Sequence, residues 1–193
     1  MIEHKVKYSK DIVSLSMDYT SALPLAFFFV NVMEGVHEGN YVEMTLLITT
    51  MIVADLLTVF IKRMSTYTPS FLNFLISRPK GASNTDILSR NGIKPPNSPG
   101  FPSGHMTMTS VFAVYRLIRL YRRNYNPEVD LIINITNLFK TQLIPIAFYL
   151  GIIVLMAAAR LYKKCHTITQ VVGGTLLGTI FAIILDKIVV DFL

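Results

Sequence analysis

The sequence predicts an all-α fold, an integral membrane helical bundle of about five transmembrane helices, and three observations predict it. Of 193 residues, 52% are hydrophobic and only 16% charged. The mean hydropathy of +0.49 is far above what a soluble core requires and excludes disorder. Residues 141–159 and 167–185 are each nineteen residues long without a charge, close to the roughly 20 that cross a bilayer as helix. A single long stretch rich in Pro, Gly, Ser and Asn, 77–104, interrupts this apolar chain.

Met1 to Thr20 scatters six charges besides His4 and has no apolar centre followed by small residues, so residues 1–18 are expected as a surface segment and not a leader. A helix follows over 19–33, with Pro24 tolerated in its first turn. Met44 to Ile61 is broken only by Asp55, an intramembrane acid that is either functional or paired with Arg116 or a tyrosine. Another helix starts near Ser103, and its Arg116 and Arg119, one turn apart, are placed to snorkel to headgroups. Leu131 to Phe139 is either an interfacial turn or the beginning of the 141–159 span, and Asn134-Ile135-Thr136 forms a glycosylation sequon. Gly174 and Gly178 form GxxxG, expected to serve close packing within the bundle. The whole chain, 1–193, is expected to be one domain.

Charge and cysteine content narrow the partners. The lone Cys165 excludes a disulfide framework and a cysteine-cluster zinc site, and it reads as packing. Eighteen Lys plus Arg against twelve Asp plus Glu leave +6. In so apolar a chain this favours an anionic substrate or lipid headgroup over nucleic acid. No protein partner is required.

The loop is stiffened by prolines and contains Pro102-Ser103-Gly104-His105 where a helix begins. Ser103 is placed as its cap, and the first-turn N–H groups suit a phosphate. Alone, this is as well explained by an ordinary cap with a surface histidine. The two uncharged spans, however, are joined by only Arg160-Leu161-Tyr162-Lys163-Lys164-Cys165-His166. If spans alternate in direction, Arg160 and His166 share a membrane face with Arg78, Lys80 and His105. That gathers cations and two histidines into an anion site with acid–base equipment.

Arg78-Pro79, then Pro102-Ser103-Gly104-His105, then Arg160 with five residues to His166, in that order around membrane spans, resembles the three-part signature of the type 2 phosphatidic acid phosphatase superfamily, which includes vanadium-dependent haloperoxidases. The match extends from about Arg78 to Gln170. The resemblance implies a metal-independent phosphatase site at one membrane face, without cofactor, acting through a phosphohistidine intermediate. It implies His166 as nucleophile and His105 as general acid, with Arg78, Arg160, Ser103 and the Gly104 backbone holding phosphoryl oxygens. Those residue types suit a transition state that spreads charge over three equatorial oxygens.

Three positions depart from the family pattern. Phe71 stands where a lysine is usual, and Lys80 is expected to supply that charge. Ala159 replaces a serine, removing a hydroxyl bond worth about 1 kcal/mol. Gln170, one helical turn after His166, replaces an aspartate. Its carbonyl can orient the imidazole without adding charge, which predicts a slower enzyme before a dead one, with Asp86 as a candidate compensating acid. The expected function is therefore a membrane lipid phosphate phosphatase of phosphatidate type, whose partners are its lipid phosphate substrate and membrane lipids. The alternatives are a polyprenyl diphosphate phosphatase or a catalytically silent phospholipid-binding protein.

Overall fold

The computed structural model of the chain describes residues 12–67, 76–82 and 98–192; Phe71 and Asp86 lie outside them. Of the described residues 82% are helical and none forms a strand; their one extended pairing is an isolated antiparallel bridge between Ser77 and Pro99. Among the described residues six α-helices follow one another: α1 (Ile12–Thr20), α2 (Leu23–Glu38), α3 (Tyr41–Met64), α4 (Gly104–Asn124), α5 (Leu131–Tyr162) and α6 (Ile168–Phe192).

Local chemistry sets the boundaries. Pro24 occupies the first turn of α2, where its missing N–H costs no helical bond, and Gly39 ends that helix at φ 69°, a left-handed conformation that suits glycine. Asn40 caps α3: its Oδ1 accepts the Glu43 N–H at 3.2 Å, and its Nδ2 donates to the Glu43 carboxylate at 2.7 Å. Leu131 to Phe139 proves to be the beginning of α5. That helix is kinked at Gln142, whose dihedrals are non-helical, three residues before Pro145. A proline inside a helix loses one N–H bond and crowds the preceding turn, which accounts for the kink there.

α4 is the central helix and packs against α2, α3, α5 and, most extensively, α6. Its Val111, Phe112, Ala113 and Tyr115 are buried with Phe27, Leu47, Met51 and Leu185. Phe27 and Phe112 stack with centroids 4.4 Å apart. The outer faces of the other helices expose Leu56, Phe60, Phe148, Leu155, Leu176 and Ile180, an apolar surface that only a lipid environment leaves unpenalised. α3, α5 and α6 are long and apolar enough to cross a membrane.

Among the described residues three helices meet that test, where the sequence suggested about five spans. α2 has sixteen residues, about 24 Å at 1.5 Å per residue, short of a hydrocarbon core of about 30 Å. α4 is long enough, but it is enclosed by its neighbours and carries four arginines toward one end.

Those arginines are paired and do not snorkel. Arg116 bonds Glu34 and Asn31, Arg119 bonds both carboxylate oxygens of Glu43 at 3.0 Å, and Arg122 grips Asp186. Glu43 also accepts the Tyr115 hydroxyl at 2.7 Å. Asp55 is therefore not the partner of Arg116. Asn134 is buried and bonds the backbone of Asn126 and Val129, so the sequon is not an accessible acceptor.

The glycine pair of α6 sets the α4–α6 distance. A Cβ at Gly174 would stand 2.5 Å from the Ser103 carbonyl oxygen, and one at Gly178 would collide with the Thr107 carbonyl oxygen. Both obstacles are backbone, so the helices themselves would have to separate. Gly178→Val should lower stability by about 1–3 kcal/mol through overpacking, read as a lower unfolding midpoint in detergent. A wild-type midpoint with altered oligomeric state would instead mark the glycines as a dimer seam.

Candidate active site

The hairpin between α5 and α6 is tight. Lys164 turns at φ 52°, and the Cys165 N–H returns to the Arg160 carbonyl at 3.0 Å. His166 is thereby delivered, buried, just ahead of the first turn of α6. Cys165 is buried as well, in keeping with a packing role.

His166 Nδ1 lies 3.1 Å from Gln170 Oε1, the contact expected of two residues one turn apart. The rest of the carboxamide is committed. Its Nε2 donates to the Ser77 and Ile76 carbonyls at 2.8 and 3.2 Å, while Oε1 also accepts the Thr167 N–H at 3.2 Å. This network assigns the amide orientation, and the assignment makes Nδ1 of His166 the protonated nitrogen. Nε2 then keeps its lone pair, and it lies 3.5 Å from Arg78 Nη1.

The two ends of the long loop are zipped together beside that imidazole. Arg78 N–H donates to the Ser98 carbonyl at 3.1 Å and Gly100 N–H to the Ile76 carbonyl at 2.7 Å, flanking the Ser77–Pro99 bridge. Arg78 Nη1 also donates to the Cys165 carbonyl at 2.9 Å, tying the loop to the hairpin. A Cβ at Gly100 would meet Arg78 Cγ at 2.8 Å and collide with Gln170. Glycine is required here by close approach.

The Ser103 N–H donates to the Gln170 carbonyl at 3.0 Å, docking the start of α4 on α6. Ser103 stands at the N-cap position, but its hydroxyl does not cap the helix. The oxygen is instead buried with no hydrogen-bond partner among the described residues, an arrangement that suits an incoming acceptor or donor. By helix geometry the amides of Gly104, His105 and Met106 have no acceptor within α4. His105 is half-buried on that turn.

Two residues of α3 reach the same turn. A Cβ at Gly104 would lie 3.2 Å from Asp55 Oδ1 and 3.7 Å from Lys62 Nζ. Lys62 was not singled out from the sequence as a site residue. Lys80, which was, is exposed on the turn after Arg78. Seven residues apart, Asp55 and Lys62 share a helical face, yet nothing in the sequence shows which helix that face meets. Arg160 is 1% exposed, and its Nη2 donates to the hydroxyl of Ser21, a second residue the sequence reading missed.

The surroundings hold His166 neutral. Burial lowers its pKa well below the usual imidazole value, and the positive charges of Arg78, Lys62 and Arg160 lower it further, against a smaller opposing effect of the Gln170 hydrogen bond. The arrangement supplies an unprotonated ring nitrogen 3.5 Å from a guanidinium, with further cations acting on it.

An all-helical bundle with a cationic pocket around a buried neutral histidine is the class of protein that emerges. A family model described as the PAP2 superfamily matches residues 43–192, and the chain belongs to that superfamily. No curated protein and no solved structure matches the chain. Members of the superfamily are phosphatases or phosphoesterases, which supports a phosphatase-type hydrolase.

The shift at His166 has a consequence for stability. Its folded pKa is depressed, so the unfolded chain takes up the proton first. The stabilisation is complete above about pH 6.5 and is lost as pH falls from there toward the folded value, by at most about 1.4 kcal/mol per pH unit. His166→Gln should flatten that part of the stability profile, measured by thermal unfolding. Lys62→Met should raise the His166 pKa in an NMR titration.

Proposed function

We propose that the protein is a multi-pass membrane phosphatase that hydrolyses a lipid phosphate monoester of phosphatidate type, through a phosphohistidine formed on His166. The observation that carries this reading is the imidazole itself. Its Nδ1 is held by Gln170, and its Nε2 lone pair faces Arg78. Binding alone would need the cations and not a nucleophile kept neutral and oriented.

In the first step the Nε2 lone pair attacks phosphorus and the bond to the ester oxygen breaks. His105 gives its proton to the departing alkoxide. Arg78, Arg160, Lys62 and the Ser103 hydroxyl, with the amides at the start of α4, stabilise the charge on the three equatorial oxygens. In the second step water attacks phosphorus, His105 takes its proton, and the P–N bond breaks to free phosphate and His166. These cations carry the electrostatic work without a metal ion.

The lipid part of the reading is supported by placement. The hairpin bearing Arg160 and His166 directly joins two helices that are long and apolar enough to span a membrane. A headgroup phosphate in the hairpin would leave its tail level with the apolar helix surfaces.

Gln170 supports activity with an amide at this position. An aspartate would be shorter by one methylene and has only acceptors, so it would lose the bonds to the Ile76 and Ser77 carbonyls. An aspartate here would therefore slow this chain, although it is the residue usual in the family.

The test is phosphate release by the purified protein in detergent with EDTA, offered phosphatidate, lysophosphatidate and polyprenyl diphosphate. Phosphatidate should be cleaved, His166→Ala should abolish release, and Gln170→Asp should slow it roughly tenfold or more, the expected cost of two lost bonds. No release from any substrate would leave a silent binder, preference for the diphosphate would reassign the substrate, and activity surviving His166→Ala would remove the mechanism.

A further inference from the structure

We propose that Ser21, which precedes the family-matched residues 43–192, is a positioning residue of the phosphate site: its hydroxyl holds the buried Arg160 guanidinium in place. The inference rests on the reading that Arg160 binds the phosphoryl group.

Arg160 is almost wholly buried, and a buried guanidinium requires acceptors in fixed positions. The residue before it, Ala159, has no hydroxyl to offer. Ser21 is buried too, and its own hydrogen is directed to the Met17 carbonyl at 3.0 Å. That commitment turns its lone pairs outward, so toward Arg160 it acts as acceptor.

The segment carrying Ser21 is anchored on the same hairpin by a second contact. Asp18, three residues earlier and so on the same helical face, pairs with Lys163 at 2.8 Å. α1 packs along α5. Lys163 lies three residues beyond Arg160, so Asp18 of α1 and Ser21 just after it meet Lys163 and Arg160 at the end of α5. Asp18 is half exposed, and an exposed pair adds little energy. Its contribution is register: it sets which turn of α1 stands opposite Arg160. Ser21, just beyond the expected surface segment 1–18, is thus part of the wall of the site. Thr20, between the two contacts, is buried but bonds the Ser16 carbonyl of its own helix. It therefore separates helix docking from the hydroxyl contact.

The experiment uses the full-length protein in detergent and measures binding of inorganic phosphate by 31P NMR titration, alongside kcat and KM for phosphatidate. Ser21→Ala should weaken phosphate binding and kcat/KM together by roughly tenfold, the effect of removing one hydrogen bond to a charged group. Ser21→Cys, which keeps the volume but accepts hydrogen bonds weakly, should do the same. Ser21→Thr should stay within about twofold of wild type because the hydroxyl is retained, and Thr20→Val should bind phosphate as wild type does. Wild-type phosphate affinity in Ser21→Ala or Ser21→Cys overturns the proposal, as does a Thr20→Val loss equal to that of Ser21→Ala, which would assign the effect to docking of α1. A wild-type protein that binds phosphate but cleaves no lipid would overturn the phosphatase reading and leave this one standing. A wild type that binds no phosphate overturns both.

Discussion

Gln170 joins three parts of the chain that lie apart in sequence. Its oxygen holds the imidazole of His166, its nitrogen holds the Ile76 and Ser77 carbonyls in the loop that carries Arg78, and its backbone carbonyl receives the Ser103 N–H at the start of α4. The side chain is fully buried, so each polar atom must find a partner inside the protein. An amide can satisfy carbonyls and an imidazole N–H at once because it carries both donors and acceptors. A carboxylate has only acceptors and would face two carbonyl oxygens. The residue that departs from the family pattern is therefore suited to the way this chain closes its loop on His166.

Electrostatics divides the bundle into two ends. At one end, Arg116, Arg119, Arg122 and Arg123 each meet a carboxylate. At the other, Arg78, Lys62 and Arg160 act together on a buried histidine and keep it unprotonated. A phosphate entering there would compensate cations that the protein holds close to one another.

The packing that makes this possible depends on α4. It is enclosed by four other helices, and α6 can approach its backbone only because Gly174 and Gly178 carry no side chain. That approach brings Ser103 to Gln170, and α3 brings Lys62 and Asp55 to the same turn. α1 closes the side of the hairpin through Ser21 and Asp18. The candidate site is thus assembled from several helices and one loop, and within it only Ser103–His105 and the Arg160–His166 hairpin are contiguous in sequence.

The all-α character, the two uncharged spans and the ordered pattern from Arg78 to His166 were legible in the sequence, because apolar run length and the spacing within a hairpin are local properties. The role of the glycine pair was legible for the same reason. Local patterns do not reveal which helix face meets which. Lys62 and Ser21 lie far from the signature and reach the site only through the packing of α3 on α4 and of α1 on α5, whereas Lys80, close in sequence to Arg78, points to the surface. The same limit explains the arginines of α4, whose carboxylate partners are on α2, α3 and α6, and the count of spans, since a helix enclosed by others need not be apolar enough to face lipid. The sequence by itself determined the class of fold and the ordered pattern of candidate site residues. Only the tertiary structure decided which cations surround the imidazole and which nitrogen of His166 keeps its lone pair, because both depend on contacts between segments distant in the chain.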